Sequence, residues 1–219
     1  MTPEILKKMT PELLSMKAKF ISEYAINFET KTIHIFSELT DELGTSLRIK
    51  YDLLKQWADV IEESPITEIT LDISSPGGSI YAIYAALDFI FELKSQNILV
   101  NTRAHGICMS AATVLLSGGT GTRIALPRCR FMLHDVQIEG IGGTANQVAH
   151  SAKTITEEQM EIFTMYAEFS RKGEESFNEK DLVKEAKKWH KRFTKDGFDH
   201  YITAKQMLEL KLIDSILSN

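Results

Sequence analysis

Short apolar runs alternate with helical ones through the middle of the chain, and this alternation constrains the fold more than any other feature. Ile69–Ile73 and Ile98–Thr102 are runs of strand length, and each precedes a segment of helical character. Ser79–Leu93 carries Ala82, Ala85, Ala86, Phe89 and Ile90 on one helical face. Ser110–Leu116 predicts another helix, ended at Gly118-Gly119, with short strands near Arg123–Leu126 and Arg130–His134. Upstream, Thr32–Phe36 predicts a strand and the segment from there to Ile61 a helix, since Leu47, Tyr51, Leu54, Trp57 and Ile61 recur at spacings of three and four. Downstream, Asn146–Phe169 predicts one long helix, entered through Gly140-Ile141-Gly142-Gly143. A helix over Glu179–Arg192, a short one from Thr203 and a closing Leu212–Ile216 segment follow. The whole reads as an α/β layered domain over 30–219. Residues 1–29 form a helical N-terminal extension, with Leu13, Met16, Phe20 and Ile21 in one apolar stripe.

The chain has 219 residues, enough for one domain with a full hydrophobic core. Its net charge of −5 and pI near 5.7 give no footprint for nucleic acid. The basic run Lys184–Lys195 is interleaved with apolar residues and reads as the wet side of a helix. Cys108 and Cys129 lie in apolar segments, which predicts buried free thiols in a reducing, cytoplasmic compartment. No signal peptide is expected from Met1-Thr2-Pro3-Glu4, and no apolar run approaches the length of a membrane span.

Three local patterns carry chemistry. Gly106-Ile107-Cys108-Met109-Ser110 places a serine at the start of a helix, among free backbone N–H groups and the positive end of the dipole. Such a serine is either a nucleophile or a plain N-cap. Ser74-Ser75-Pro76-Gly77-Gly78 joins a strand to a helix, and is either an ordinary tight turn or a backbone cradle for a developing oxyanion. It lacks the Gly-Lys-Ser/Thr sequence of a phosphate loop. His134 ends an apolar strand and is followed by Asp135. Together they supply a nucleophile in Ser110, a base in His134, and oxyanion donors in the N–H groups of Gly78 and Ala111. This set points to acyl transfer, and above all to peptide hydrolysis. The remaining histidines show no metal-ligand spacing, and acyl transfer by a serine and a histidine requires neither a metal nor an organic cofactor.

Taken in order, Ser75-Pro76-Gly77-Gly78, Gly106-x-x-x-Ser110 and Leu126-Pro127-x-x-Arg130-x-Met132-x-His134 resemble the three motifs of ClpP, the proteolytic subunit of the Clp protease. The ending Tyr201-Ile202-Thr203-Ala204 with Leu212-Ile213-Asp214 is similar too, and the resemblance spans about residues 30–217. It implies a ClpP/crotonase-like layered β-β-α superhelix with a protruding handle helix, the handle covering about 137–170. It implies Ser110 as nucleophile, His134 as general base, and a substrate-binding strand containing Gly140, Ile141, Gly142 and Gly143. It also implies a homo-oligomer of heptameric rings stacked into a tetradecamer. An AAA+ ATPase unfoldase would feed it peptides or unfolded proteins.

Four departures qualify the resemblance. Counting back from the C-terminal motif puts Lys195 where the family has its acid. Asp196 is adjacent, and Asp199 falls on a second acidic position, so the third member of the triad is Asp199 or Asp196, or the site runs as a Ser-His dyad. Ala111 replaces the usual methionine after the serine, Asp135-Val136 replaces a common Gln-Pro pair, and residues 1–29 do not resemble the family's axial loop. The phage-type, capsid-maturation relatives depart in similar ways. Two other readings stay open: a catalytically inactive structural subunit, and another acyl-transfer enzyme of the crotonase superfold.

Overall fold

The strands pair into one mostly parallel sheet in a computed structural model that describes residues 10–62, 64–137, 142–174 and 178–217. A short antiparallel pair, β1 (Ile26–Asn27) and β2 (Thr32–Ile35), opens it. Parallel pairing then runs from β2 through β3 (Glu68–Ser75), β4 (Leu99–Met109) and β5 (Arg123–Ala125). Helix α1 (Pro11–Tyr24) precedes the sheet, α2 (Leu43–Trp57) follows β2, and α3 (Ile80–Ser95) connects β3 to β4. The α/β class expected from the alternation is therefore the class observed.

Helix α3 buries Ala82, Ala86, Phe89 and Ile90, and the hydroxyl of Ser79 caps it by accepting from the Tyr81 N–H. Leu47, Tyr51 and Leu54 of α2 are buried as their spacing predicts. That helix gives way at Ala58–Glu62 to one π-helical turn, so the expected straight run to Ile61 ends early. It also starts late. The residues before it are looped, because Leu39 leaves the helical path to form a parallel bridge with Gly78. Helix α1 docks through Phe20, whose ring meets Phe28 edge-on at 5.5 Å, and Phe28 stacks on Trp57 at 4.7 Å. Ile26 and Phe28 are themselves buried, so sheet and core begin ahead of residue 30.

Strand β4 departs furthest from the sequence reading. It was expected to end at Thr102 and instead continues to Met109. Its first half pairs with β5, from Thr102↔Arg123 to Ala104↔Ala125, and its second half with β6 (Arg130–Leu133), from Ile107↔Arg130 to Met109↔Met132. Gly106 sits between the halves at φ +62°, close to the register shift against β3. A left-handed residue there costs a glycine little, and the resulting turn lets one strand serve two neighbours.

The short helix α4 (Ala111–Ser117) leaves the end of β4 and is wholly buried. Helix α5 (Ala145–Phe169) starts from a capping box between Thr144 and Gln147. At 25 residues it spans roughly 38 Å. Only its second half packs, through Phe163, Tyr166, Ala167 and Phe169, and its first turns are exposed. Helix α6 (Glu179–Thr194) buries Ala186, Trp189 and Phe193, which leaves its lysines on the solvent side as the interleaved pattern predicts. Strand β7 (His200–Thr203) follows, antiparallel to β6, then α7 (Ala204–Glu209) and β8 (Ser215–Ile216), parallel to β5. No strand was expected at 200–203. Only Ile202 of its four residues is buried, too little for a periodic signal.

Candidate active site

Ser110 sits where β4 turns into α4, at φ 52° and ψ −130°. A non-glycine residue at positive φ costs of order 1–3 kcal/mol, so the surroundings must hold it there. Three bonds do so. The Ser110 N–H donates to the Met132 carbonyl at 2.8 Å, which extends the β4–β6 ladder, and the Ser110 carbonyl accepts from the Thr113 hydroxyl at 2.6 Å and from the Thr113 N–H at 2.9 Å. Ser110 occupies the N-cap position of α4, yet its side chain makes no cap hydrogen bond. The hydroxyl turns instead to His134, with Oγ 2.6 Å from Nε2. The two residues lie 24 apart in the chain. Parallel pairing of Met109 with Met132 brings them together, because each lies just beyond the end of its strand.

The β6–β7 register places one of the two candidate acids near the histidine. Leu133 pairs with His200, so the next residue of β6 faces the preceding residue of β7: His134 lies opposite Asp199. An Asp199 Oδ1 lies 3.7 Å from His134 Nδ1, beyond hydrogen-bond reach, and that nitrogen is buried without a hydrogen-bond partner. Asp196 is elsewhere, paired with His200 Nε2 at 3.0 Å. Of the two aspartates singled out in the sequence, the structure brings Asp199 to the histidine and does not bring Asp196. Lys195 is the C-cap residue of α6 and is exposed.

The glycine loop packs against the serine turn. Gly77 is at φ +103°, and a Cβ there would lie 2.7 Å from both the Met109 carbonyl oxygen and the Ser110 Cβ, so no other residue fits without moving the serine. Leu39 fixes Gly78 from the far side. Its N–H donates to the Gly77 carbonyl and its carbonyl accepts from the Ser79 N–H, both at 2.8 Å. These bonds flank Gly78, so the N–H of Gly78 faces away from Leu39. Ala111 is the first residue of α4, where an N–H has no partner within the helix. Gly78, Ser110, Ala111, His134 and Asp199 all line one cleft of about 600 Å³.

Residues that the sequence reading passed over complete the site. Thr113 holds the serine carbonyl, and its hydroxyl lies 2.5 Å from the Tyr166 hydroxyl of α5. Tyr166 is buried, and burial pushes its phenol well above the ordinary range, which keeps it a donor. No local motif marks Thr113 or Tyr166, since they meet across 53 residues of chain. Cys108, two residues before the serine, is a buried free thiol raised far above its usual pKa by burial, and burial pushes Cys129 up to about 12. Neither is poised as a nucleophile. Of the glycine-rich segment, Gly140 and Ile141 lie outside the described residues. Gly142 and Gly143 lead into the Thr144 cap and are not among the residues lining the cleft.

Comparison with known proteins agrees with this architecture. The family model for Clp protease matches residues 15–219, so the chain belongs to the Clp protease family. It is 30% identical over 200 residues to the ATP-dependent Clp protease proteolytic subunit 2 of Corynebacterium diphtheriae, covering 90% of this chain and 87% of the relative. It is equally 30% identical to the proteolytic subunit 1 of Corynebacterium jeikeium, over 90% and 93%. The proteolytic subunit of Porphyromonas gingivalis is 33% identical over 154 residues, 70% of this chain and 61% of that one. These relatives are peptidase subunits, and the α/β sheet described above is consistent with their fold. Among the described residues, no helix is long and apolar enough to cross a membrane.

Proposed function

We propose that this protein is a serine endopeptidase, with Ser110 as nucleophile and His134 as general base. The observation that carries the reading is the 2.6 Å contact between Ser110 Oγ and His134 Nε2 at a strained strand-to-helix turn. With Nε2 unprotonated, the serine hydroxyl donates to it. Attack of Oγ on a peptide carbonyl then transfers the hydroxyl proton to Nε2. The N–H groups of Gly78 and Ala111 hold the oxyanion. The imidazolium returns its proton to the leaving amine, and water, activated by the same histidine, releases the acyl group. The Asp199 carboxylate faces Nδ1 and stabilises the charged ring from 3.7 Å.

In this reading the chain works in the cytoplasm as a homo-oligomer of stacked heptameric rings. An AAA+ unfoldase supplies unfolded chains, as the relatives' description as ATP-dependent subunits suggests. The exposed first half of α5 is the surface we assign to ring-to-ring contact, with the handle at about 137–170. Helix α1, ahead of β1, acts as an extension of the peptidase domain, with Phe20 packed on Phe28.

Labelling with a fluorophosphonate followed by mass spectrometry tests the mechanism. A single adduct on Ser110, lost in His134→Ala, is expected. A second reading, an inactive structural subunit, draws on the unbonded Nδ1 of His134. It takes over if an assembled, folded protein acquires no adduct.

A further inference from the structure

We infer that Glu158 makes the cleft beside Ser110 selective for an arginine or lysine side chain next to the scissile bond, an inference that rests on the peptidase reading above. Four residues of α5 line the cleft, Ile155, Glu158, Ile162 and Tyr166, at spacings of three, four and four, so one helical face forms its wall. Val114 and Met132 add apolar surface opposite Ser110. Glu158 is the one carboxylate in this apolar wall. It is half-buried, its Oε1 accepts a hydrogen bond from the Tyr81 hydroxyl at 3.1 Å, and it makes no ion pair among the described residues. Tyr81 belongs to the first turn of α3, so α3 and α5 together fix the carboxylate.

The charge around it points the same way. Glu38, Asp135 and Asp199 also line the cleft, and no lysine or arginine is among its described lining residues. A long basic side chain suits this surface at both ends. Its methylenes cover Ile155 and Ile162, and its head meets the carboxylate. Arginine suits it better than lysine, because a planar guanidinium bonds a carboxylate through two N–H groups. A large apolar side chain would fill the same space but leave Glu158 desolvated and without a counter-charge, which is unfavourable. A glutamate side chain would add a further negative charge to an acidic cleft.

The test is cleavage of a diverse peptide library by the assembled full-length protein, with cut sites read by mass spectrometry, followed by kcat/KM on matched peptides that differ only in arginine against norleucine at the selected position. Basic residues are expected to be enriched beside the cut bond. In Glu158→Gln the arginine-to-norleucine ratio should fall about ten- to a hundredfold, the range of one charge-assisted hydrogen bond. In Glu158→Lys the preference should turn toward acidic residues. Cleavage with no basic preference, or a preference that both variants retain, overturns the inference and leaves the peptidase standing. No cleavage together with an unlabelled Ser110 overturns both.

Discussion

Replacing Asp199 with asparagine measures how much a loosely placed acid contributes to this site. In a tightly hydrogen-bonded triad that change costs about 10⁴-fold in turnover, because the histidine takes the wrong tautomer. Here the carboxylate stands 3.7 Å from Nδ1, with a side chain 41% exposed. Its attraction for the imidazolium formed in the transition state is about 1 kcal/mol if screened as in water and about 4.5 kcal/mol at an effective dielectric of 20. Those bounds correspond to roughly sixfold and roughly two-thousandfold in rate. A carboxylate this exposed belongs toward the weaker bound, so kcat for a short peptide should fall about ten- to thirtyfold, with KM little changed. Asp196→Asn should leave kcat within about twofold, since its carboxylate serves His200 instead. Equal losses in the two variants, or none in Asp199→Asn, would refute the assignment of Asp199. A loss near 10⁴-fold would show that the acid closes onto Nδ1 when substrate binds.

Two further outcomes follow from the packing around the site. Gly77→Ala places a methyl group against Ser110 Cβ at a positive φ, and should cost at least about tenfold in kcat/KM while thermal unfolding stays cooperative; unchanged kinetics would mean that the loop is not held against the serine. Arg123 is buried and donates to the Ser117, Phe169 and Lys211 carbonyls and to Asp214, so Arg123→Met should lower stability by about 3–5 kcal/mol in urea. The same cluster sets an acid limit. Burial raises the Asp214 carboxyl, but hydrogen bonds from Arg123 and Lys172 outweigh it and hold the group below its unfolded value of about 3.8. Its contribution is therefore intact above about pH 4 and lost as pH falls through the lower folded value. Wild type should weaken over that range, and Arg123→Met should show a shallower decline.

What the sequence determined on its own was most of the helices and strands and the candidate residues of the site. Periodicity placed α3, α5 and α6 to within about two residues and marked the buried face of α2, because amphipathic helices announce a buried face every three or four positions. Ser110, His134 and the glycine loop were legible because their motifs are local: each is a run of neighbours at a strand end. The acid was not. Asp196 and Asp199 lie three residues apart and are indistinguishable by composition, and only the antiparallel register of β6 on β7, over a strand with a single buried residue, sets Asp199 against His134. The same holds for the extension of β4 through Gly106, which depends on two different neighbours, and for Leu39, Thr113 and Tyr166, which hold the serine turn and glycine loop from distant segments. Short-range patterns encode which face of an element is buried, whereas the pairing of strand ends is settled by the packing of the whole sheet, and the final placement of the reactive groups belongs to that second level.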